Sequence, residues 1–318
     1  MGGTVTRRFD RLLHLGSVVI DVVLDVPALP SRGGDVLASA TQVTPGGGFN
    51  VMVAARAQGL PVGYAGAYGT GPFASLALAA LRAARVEVLQ PPKAGLDTGF
   101  VVTVVDAGGE RTFLTSRGAE ATLRPADLAG VRAGPRDAVY LSGYGLLDPG
   151  ARPAILGWLD RLGEPNVVFF DPGPLVGTMP ADALDRVLGR ADWVTYNARE
   201  AAAITGRDDP LAAARALASP EGHGLRGGVL VRTGPAGCVV GLASSPAPVP
   251  VPGFLVDAVD TNGAGDAHTG TFVAALARGA DALAAARTAN AAAALSVTRR
   301  GPATAPSAAE LARFLAGR

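Results

Sequence analysis

Late in the chain stands the heptapeptide Asp260-Thr261-Asn262-Gly263-Ala264-Gly265-Asp266, which runs directly into an alanine-rich segment. The two glycines allow backbone conformations that a Cβ atom would bar, and they let the backbone approach a ligand closely. The following residues favour a helix, and Gly279 offers a stop just beyond it. A glycine turn at a helix N-terminus presents unpaired N–H groups at the positive end of the helix dipole. This stretch therefore predicts an anion site that suits a phosphate group.

Asp266 is the unexpected residue of this turn, because a carboxylate repels a resting phosphate. It fits a site that removes a proton from an attacking hydroxyl group while the turn holds a phosphoryl group. The residues alone leave a second reading open, in which Asp266 only caps or charges the first turn of the helix.

The heptapeptide resembles the C-terminal signature of the ribokinase-like (PfkB) carbohydrate kinases. The resemblance implies a ribokinase-like α/β fold, a three-layer sandwich with a mostly parallel central sheet and a small β-sheet lid. It also implies that Asp266 is the general base and that the backbone amides of Gly263, Ala264 and Gly265 form the anion hole.

Composition restricts the compartment and the partners. The chain of 318 residues has 28 Lys and Arg against 27 Asp and Glu, so it predicts no basic surface for nucleic acid or an anionic membrane. No apolar run is long enough to span a bilayer. A single cysteine, Cys238, excludes an internal disulfide and suits a cytoplasmic protein, and its apolar neighbours predict a buried thiol.

The N-terminal part carries two candidate substrate residues. Segment 13–23 reads as one buried strand, with Asp21 near its carboxyl end, where α/β proteins bind ligands; Asp25 is a neighbouring alternative. A glycine turn, Gly46-Gly47-Gly48, then precedes Asn50 and a helix over 51–58, and by itself it could be only a flexible turn. The run resembles the N-terminal glycine motif of the same family. The resemblance implies that Asp21, these glycines and Asn50 bind the sugar.

Segments 33–45 and 97–118 predict the lid. A strand over 36–43 and a hairpin of 98–106 with 111–116 would form a small sheet beside the main one. Phosphoryl transfer to an alcohol competes with transfer to water, so a cover that excludes water suits this chemistry. The residues alone also allow an ordinary edge hairpin, whereas the resemblance implies a lid that often forms dimer contacts.

From residue 126 onward, apolar strands alternate with amphipathic helices, which predicts a parallel sheet covered on both faces. The strands are expected at 138–141, 167–170, 193–196, 228–232 and 237–242, and the helices at 151–162, 181–188, 200–206, 211–218 and 283–297. The proline-rich segment 245–252 is expected to be an exposed connector.

Polar residues at the strand ends of this half match further family motifs. Locally, Asn197 and Glu200 read as a helix cap with an acidic first turn, and Arg232 as a surface residue of a hairpin. A carboxylate suits Mg²⁺, which keeps several waters. The resemblance implies that Glu200 organises Mg²⁺ through water, that Asn197, Arg232, Gly234, Gly237 and Asn290 bind ATP, and that Asp260 and Asn262 contribute to a K⁺ site.

One rival signal comes from a different class of enzyme. Segment 69–74 matches G-x-G-x-x-A after a strand expected at 62–68, and Glu87 lies where a dinucleotide fold places its ribose-binding acid. We therefore expect a single-domain (1–318), ATP- and Mg²⁺-dependent kinase that acts on a sugar or related small polyol and forms a homodimer through its lid. A nucleoside kinase of the same fold is the near alternative, and an NAD-dependent oxidoreductase is the distant one.

Overall fold

The structure is a computed structural model that describes residues 8–219, 222 and 225–318, so the first seven residues of the expected domain lie outside it. Two separate sheets organise the described part of the chain. Their strands are β1 (Arg11–Leu15), β2 (Val18–Asp25), β3 (Ala40–Gly47), β4 (Val62–Tyr64), β5 (Glu87–Val88), β6 (Phe100–Val105), β7 (Arg111–Ser116), β8 (Asp137–Ser142), β9 (Val167–Asp171), β10 (Trp193–Asn197), β11 (Gly228–Arg232), β12 (Gly237–Leu242) and β13 (Val249–Pro252).

The large sheet has the strand order β13-β12-β11-β10-β9-β8-β1-β4-β5. Pairing is parallel from β11 through β5, and β12 and β13 add antiparallel strands at one edge. Because parallel strands bring their carboxyl ends to one edge, the residues that end β9, β10 and β11 lie side by side. This arrangement confirms the predicted mostly parallel central sheet.

Helices cover both faces of the large sheet, because side chains alternate along each strand. In β1, Leu13 and Leu15 pack into one core with the helices between residues 152 and 218, whereas Leu12 packs into a second core with the two helices between 48 and 83 and the two between 264 and 297. The helices are α1 (Gly48–Ala57), α2 (Pro72–Ala83), α3 (Tyr144–Leu147), α4 (Arg152–Leu159), α5 (Ala181–Leu188), α6 (Ala198–Thr205), α7 (Pro210–Ala218), α8 (Ala264–Ala277), α9 (Ala282–Val297) and α10 (Ala308–Ala316).

The small sheet has the order β3-β2-β6-β7. The hairpin β6–β7 was predicted, but the single strand expected over 13–23 is wrong. The chain turns at Gly16 and Ser17 and continues as β2 in the small sheet. A side chain at Gly16 would collide with the ring of His14 and with Ser142, so the turn is packed tightly against β1. Asp21 therefore lies in the middle of a small-sheet strand and not at the carboxyl edge of the large sheet.

One smaller expectation also needs correction. The proline-rich segment is not only a connector, because Val249–Pro252 forms the edge strand β13 and Val251 is buried. Proline is tolerated at a sheet edge, where its missing N–H group costs no ladder bond. Within the described residues, no helix has the length and apolar character that a membrane crossing requires.

Candidate active site

The glycine turn at the start of α8 adopts the conformation that its sequence predicts. Gly263 has φ 74° and ψ 2°, in the left-handed region, and it is the N-cap of α8. A Cβ atom on Gly263 would lie 2.0 Å from the carbonyl oxygen of Pro302, so only glycine fits between the turn and that neighbouring loop. The first N–H groups of a helix have no partner within the helix. Apart from a long bond of 3.4 Å from the Ala264 N–H group to the Thr261 carbonyl oxygen, the turn therefore offers the donors that an anion hole needs.

Asp266 lies half-buried in the first turn of α8. The side-chain amide of Asn50 donates a hydrogen bond to its Oδ2 atom over 3.1 Å. Burial raises the pKa of Asp266 to about 7, and the negative charges of Asp171 and Asp21 act in the same direction. The hydrogen bond from Asn50 and the charge of Arg232 lower this pKa and limit the rise. A carboxylate with a pKa near neutrality is suited to accept a proton during turnover.

The N-terminal glycine turn brings Asn50 to this place. Gly47, with φ 61°, is the N-cap of α1, and Asn50 is buried in the first turn of that helix. A side chain at Gly46 would come within 2.0 Å of a carboxylate oxygen of Asp21, and one at Gly48 within 2.1 Å of the His14 ring. The glycines thus let the chain pass close to two side chains beside the site.

Asp21 lies half-buried on β2, opposite Thr44 of β3 and Val101 of β6. Burial raises its pKa to about 6. The charge of Asp21 contributes to the raised pKa of Asp266. Asn50 contacts Asp266 directly, and Asp21 lies against Gly46, four residues before Asn50.

Arg232 ends β11 below the glycine turn, where a Cβ atom on Gly265 would lie 3.6 Å from the guanidinium carbon. Its Nη1 atom lies 3.2 Å from Asp171 Oδ2 and donates to the hydroxyl groups of Thr195 and Thr269. Its Nη2 atom lies 3.8 Å from Glu200. The positive charge of Arg232 is thus balanced inside the protein, and its contact with a nucleotide phosphate stays a prediction.

Asn197 and Glu200 form a capping box at the start of α6. The Asn197 side chain accepts from the Glu200 N–H group at 2.9 Å, and the Glu200 carboxylate accepts from the Asn197 N–H group at 2.7 Å. Burial is the main cause of the raised pKa of Glu200, and Asp171 adds to it. Asn197 and Glu200 therefore form a helix cap, as their local sequence predicts. Their contacts with nucleotide and Mg²⁺ stay a prediction.

The other residues that are predicted to bind the nucleotide, Gly234, Gly237 and Asn290, differ in their surroundings. Gly234 has φ 64° and open space around its Cα atom, whereas a side chain at Gly237 would lie 2.3 Å from the carbonyl oxygen of Val251. Asn290 is buried and donates to the carbonyl groups of Val251 and Pro252, and its oxygen faces His268 at 3.0 Å. These contacts give Asn290 the role of fastening β13 to α8 and α9, so its place in an adenine pocket stays a prediction.

The model of the pfkB family carbohydrate kinases matches residues 10–309, which is nearly the whole chain. The chain belongs to the pfkB family of carbohydrate kinases. Membership makes it an ATP-dependent phosphotransferase of the sugar and nucleoside kinase type, as the resemblance of the heptapeptide had implied.

Relatives of this pfkB kinase support the assignment over full length. The chain is 32% identical to an uncharacterized sugar kinase of Escherichia coli, with 94% of this chain and 92% of the relative covered. It is also 32% identical to an ATP-dependent ribose-1-phosphate kinase of Halopiger xanaduensis, with 97% and 99% covered.

Solved structures show the same fold. A ribokinase from Thermotoga maritima superposes with a TM-score of 0.81 at 26% identity, and covers 97% of this chain and 100% of its own. An aminoimidazole riboside kinase from Salmonella enterica, solved with its riboside and an ATP analogue, gives 0.78 at 25% identity, with 96% and 99% covered. The ribokinase-like fold expected from the sequence is thereby confirmed.

The donor set of this pfkB kinase fits Mg²⁺ only in an indirect way. The described residues hold no group of three or more acidic, histidine or cysteine side chains that could cage a metal ion. The Glu200 carboxylate is already engaged by Asn197, and its remaining lone pairs can hold water. Mg²⁺ keeps several waters and is often bound through substrate phosphates. Glu200 therefore suits a contact through water, and its role at Mg²⁺ stays a prediction.

Asp260, the first residue of the heptapeptide, is engaged on both carboxylate oxygens. Oδ1 accepts from the Asn262 N–H group at 3.0 Å and from Arg111 Nη2 at 3.1 Å, and Oδ2 accepts from the Gly301 N–H group at 3.0 Å. Burial acts to raise the pKa of Asp260, but these hydrogen bonds and the charge of Arg111 outweigh it and lower the pKa. Sequence analysis missed Arg111, which has no local signal because it lies 149 residues from Asp260.

The rival dinucleotide site is filled by the protein itself. The carboxylate of Asp97 accepts from the N–H groups of Phe73 and Ala74, the first-turn donors of α2. A side chain at Gly71 would collide with that same carboxylate, and Glu87 pairs with Arg11 at the surface. An anion of the protein thus occupies the place that a pyrophosphate would need, which removes the structural support for an NAD-dependent oxidoreductase.

Proposed function

We propose that this enzyme transfers the γ-phosphoryl group of ATP to a hydroxyl group of a sugar or related small polyol, with Asp266 as the general base. The observation that carries the proposal is the position of Asp266. Its carboxylate is held in the first turn of α8 by Asn50, directly after a left-handed glycine turn, and its pKa is raised to about 7. A proton acceptor and an anion site are therefore built into one helix terminus.

In the proposed reaction, Asp266 removes the proton of the acceptor hydroxyl as its oxygen forms a bond to the γ-phosphorus. The bond from the γ-phosphorus to the bridging oxygen breaks, and ADP leaves with that electron pair. The proton stays on Asp266 until it passes to solvent. A positioned general base contributes roughly 10²–10⁴-fold to such a step.

The amides of Gly263, Ala264 and Gly265 are proposed to stabilise the charge that develops on the transferring group. Preorganised backbone donors suit this task because they need no reorganisation during the reaction, and each contributes roughly 10²–10³-fold. Arg232 supports the turn from below. Because its charge is balanced by Asp171 and Glu200, it adds little net attraction to a resting anion.

Asp21, the glycines at 46–48 and Asn50 are proposed to orient the acceptor. Asp21 and Asn50 lie on two different elements near Asp266, so together they can fix both the position and the rotation of a polyhydroxylated ligand. The oxygen of Asn50 is buried without a hydrogen-bond partner among the described residues, which leaves it free to accept from an acceptor hydroxyl group. Positioning of this kind lowers the barrier of a bimolecular transfer.

We propose that ATP binds along the ends of β10 and β11. Its predicted contacts are Asn197, Arg232, Gly234, Gly237 and Asn290. Mg²⁺, held through water by Glu200, would neutralise phosphate charge when bound. The K⁺ site that the family resemblance implies at Asp260 and Asn262 is not part of this proposal, because Asp260 already pairs with Arg111.

A nucleoside acceptor is the second candidate, favoured by the likeness to the aminoimidazole riboside kinase. The near relative named as a ribose-1-phosphate kinase points instead to a furanose sugar without a base. Both acceptors present a ribose-type set of hydroxyl groups. We propose the sugar, and the substrate panel below decides between them.

The small sheet also supports a proposed homodimer. Val43, Val22, Val102 and Leu114 form one cross-strand row, on the face opposite to that of Asp21. Within this row, Val43 and Leu114 are 47% and 60% exposed. Exposed apolar residues grouped on one face often mark a protein–protein contact. We propose that a second copy of the chain covers this face.

ADP release by the purified full-length protein tests the function. The panel contains simple sugars, sugar 1-phosphates, sugar acids, polyols and nucleosides, each with ATP and Mg²⁺. We expect at least one sugar or polyol to raise ADP release well above the rate without acceptor. Stimulation by nucleosides alone would favour the second candidate, and no stimulation by any acceptor would contradict a kinase of this class. In parallel, an ATP analogue but not NADH should raise the melting temperature, because only a ligand that binds the native state stabilises it.

A further inference from the structure

A second connection between the two sheets lies outside the catalytic residues. Arg111, the first residue of β7, donates from Nη2 to Asp260 Oδ1 over 3.1 Å. Arg111 belongs to the small sheet, and Asp260 begins the turn that leads to Gly263. The ion pair therefore joins the sheet over the site to the turn that is proposed to bind the phosphoryl group.

Asp260 fixes this turn from two sides. Its two carboxylate oxygens accept from the N–H groups of Asn262 and Gly301. Gly263 in turn packs directly against the carbonyl oxygen of Pro302, with no room for a Cβ atom. A rotation of the Asp260 carboxylate would therefore release both the start of the turn and the loop against which Gly263 rests.

The face of the small sheet that carries Arg111 is the face that carries Asp21. Asp21 and Asp25 lie on the same face of β2, because they are four residues apart in a strand. Asp25 pairs with Val105 of β6, and Val105 pairs with Arg111 of β7, so Arg111 lies on that face as well. Gln42 of β3 lies on the same face, and its Nε2 atom would contact a Cβ atom on Gly301 at 3.5 Å. The substrate-facing side of the sheet thus meets the loops around the glycine turn.

The surroundings of Asp260 do not fit the monovalent cation that the family resemblance implies there. Arg111 is a permanent cation at this carboxylate, because a guanidinium group keeps its proton at all physiological pH values. A second cation on the same carboxylate would lie within a few ångströms of the first and would be repelled by it. The positive charge at this position comes from the chain itself.

We propose that Arg111 is a positioning residue that holds Asp260, and through it the glycine turn, so that turnover needs no K⁺. This inference rests on the proposed role of Gly263 to Gly265 as the anion hole. Because Arg111 belongs to the small sheet, the ion pair fastens the glycine turn to that sheet.

The test measures turnover of the full-length enzyme in KCl, NaCl and tetramethylammonium chloride at one ionic strength. We expect the kcat of the wild type to be the same in the three salts within about twofold, a barrier difference of under half a kcal/mol. We expect Arg111→Ala to lower kcat roughly tenfold or more in tetramethylammonium chloride, because small misplacements of a catalytic group are costly. Arg111→Lys, which keeps the charge, should recover most of this loss.

Arg117→Ala is the matched control. Arg117 also pairs a segment next to β7 with the body of the protein, through Asp148, but it does not reach the glycine turn. We expect it to leave kcat near the wild-type value. A partly exposed ion pair contributes little to global stability, so both alanine variants should keep the wild-type melting temperature.

Melting temperatures in the same salts give a readout that does not depend on activity. The wild type should show no rise that is specific to K⁺. A K⁺-specific rise, strong activation of the wild type by K⁺, or equal losses of kcat in Arg111→Ala and Arg117→Ala would each overturn the inference. A wild type without kinase activity in any salt would instead count against the proposed function, so the two failures are distinguishable.

Discussion

At the scale of single residues, the site depends on a carboxyl group whose proton affinity is set by its neighbours. Burial raises the pKa of Asp266 to about 7, and the hydrogen bond from Asn50 lowers it. Asn50 is thus expected to have two tasks, to contact the acceptor and to keep the base available near neutral pH. Loss of the contact with the acceptor should raise KM, and loss of control over the base should shift the pH profile of activity.

Replacing Asn50 with leucine should separate these two tasks. The change removes the donor to Asp266, so the pKa of Asp266 rises and the base is protonated over a wider range of pH. The acidic limb of the profile of kcat/KM, which reports the free enzyme, should move to higher pH by roughly half a unit to one unit. An acidic limb that stays at the wild-type position would show that Asn50 does not control this base.

Ionised Asp266 is also expected to lower the stability of the folded protein at alkaline pH. Its folded pKa is about 7 and an unfolded aspartate titrates near roughly 3.9, so folding favours the protonated form. The stability from this group is complete below the unfolded pKa and is lost as pH rises through about 7. Asp266→Asn should therefore melt higher than wild type at pH ~8, by roughly 2 °C, and like wild type at pH ~4.

Asp260→Asn is the control of opposite sign for this measurement. The pKa of Asp260 is lowered in the folded state, so its carboxylate stabilises the fold above the unfolded pKa. This variant should melt below wild type at alkaline pH, where Asp266→Asn melts above it. Equal shifts of the same sign in both variants would contradict the two electrostatic environments.

At the scale of elements, the contact between α1 and α8 holds Asn50 beside Asp266. Gly270 of α8 faces α1, where a Cβ atom would lie 2.4 Å from the Val51 carbonyl oxygen and 2.6 Å from the Ala54 side chain. The two helices can approach only because this position has no side chain. The geometry of the site thus depends on a glycine outside every motif of the sequence.

Gly270→Val should push α1 away from α8. We expect a loss of roughly 1–3 kcal/mol in the free energy of unfolding, measured with urea, together with a lower kcat. Gly157→Ala in α4 is the matched control, because nothing lies within 4 Å of the added methyl group, and it should be neutral or stabilising. A Gly270→Val protein as stable as the Gly157→Ala protein would contradict the close approach of the helices.

The elements also show what the sequence could predict. Helix 181–188 and strands 228–232 and 237–242 were predicted with their observed bounds, because periodicity and flanking glycines mark them locally. The strand expected over 13–23 failed because the break at Gly16 depends on packing against His14 and Ser142, which periodicity does not record. Helix α10 was missed although Ser307 and Glu310 form a capping box that the sequence spells out.

At the scale of the whole molecule, the residues of the site come from distant parts of the chain. Asn50 meets Asp266 across 216 residues, and Arg111 meets Asp260 across 149. The sequence motifs predicted Asn50 and Asp266, because each of these residues follows a local pattern of glycines. No local pattern marks Arg111, and its role depends on how the small sheet lies against the large one.

The proposed homodimer is the prediction at this scale. Leu114→Arg places a charge in the exposed apolar row of the small sheet, so the protein should change from dimer to monomer in light scattering after size-exclusion chromatography. Leu211→Arg serves as the control, because Leu211 is also exposed but lies on α7, away from the small sheet. A monomeric wild type, or a Leu114→Arg variant that stays dimeric, would contradict this interface.

The central claim is that Asp266 removes the proton of the acceptor hydroxyl group. Its most direct test is the kcat of Asp266→Asn with the best acceptor of the panel, measured beside the binding of an ATP analogue to the same variant. The account predicts that kcat falls roughly 10²–10⁴-fold while the variant stays folded and binds the analogue as wild type does. A variant that binds the analogue and keeps wild-type turnover would contradict it.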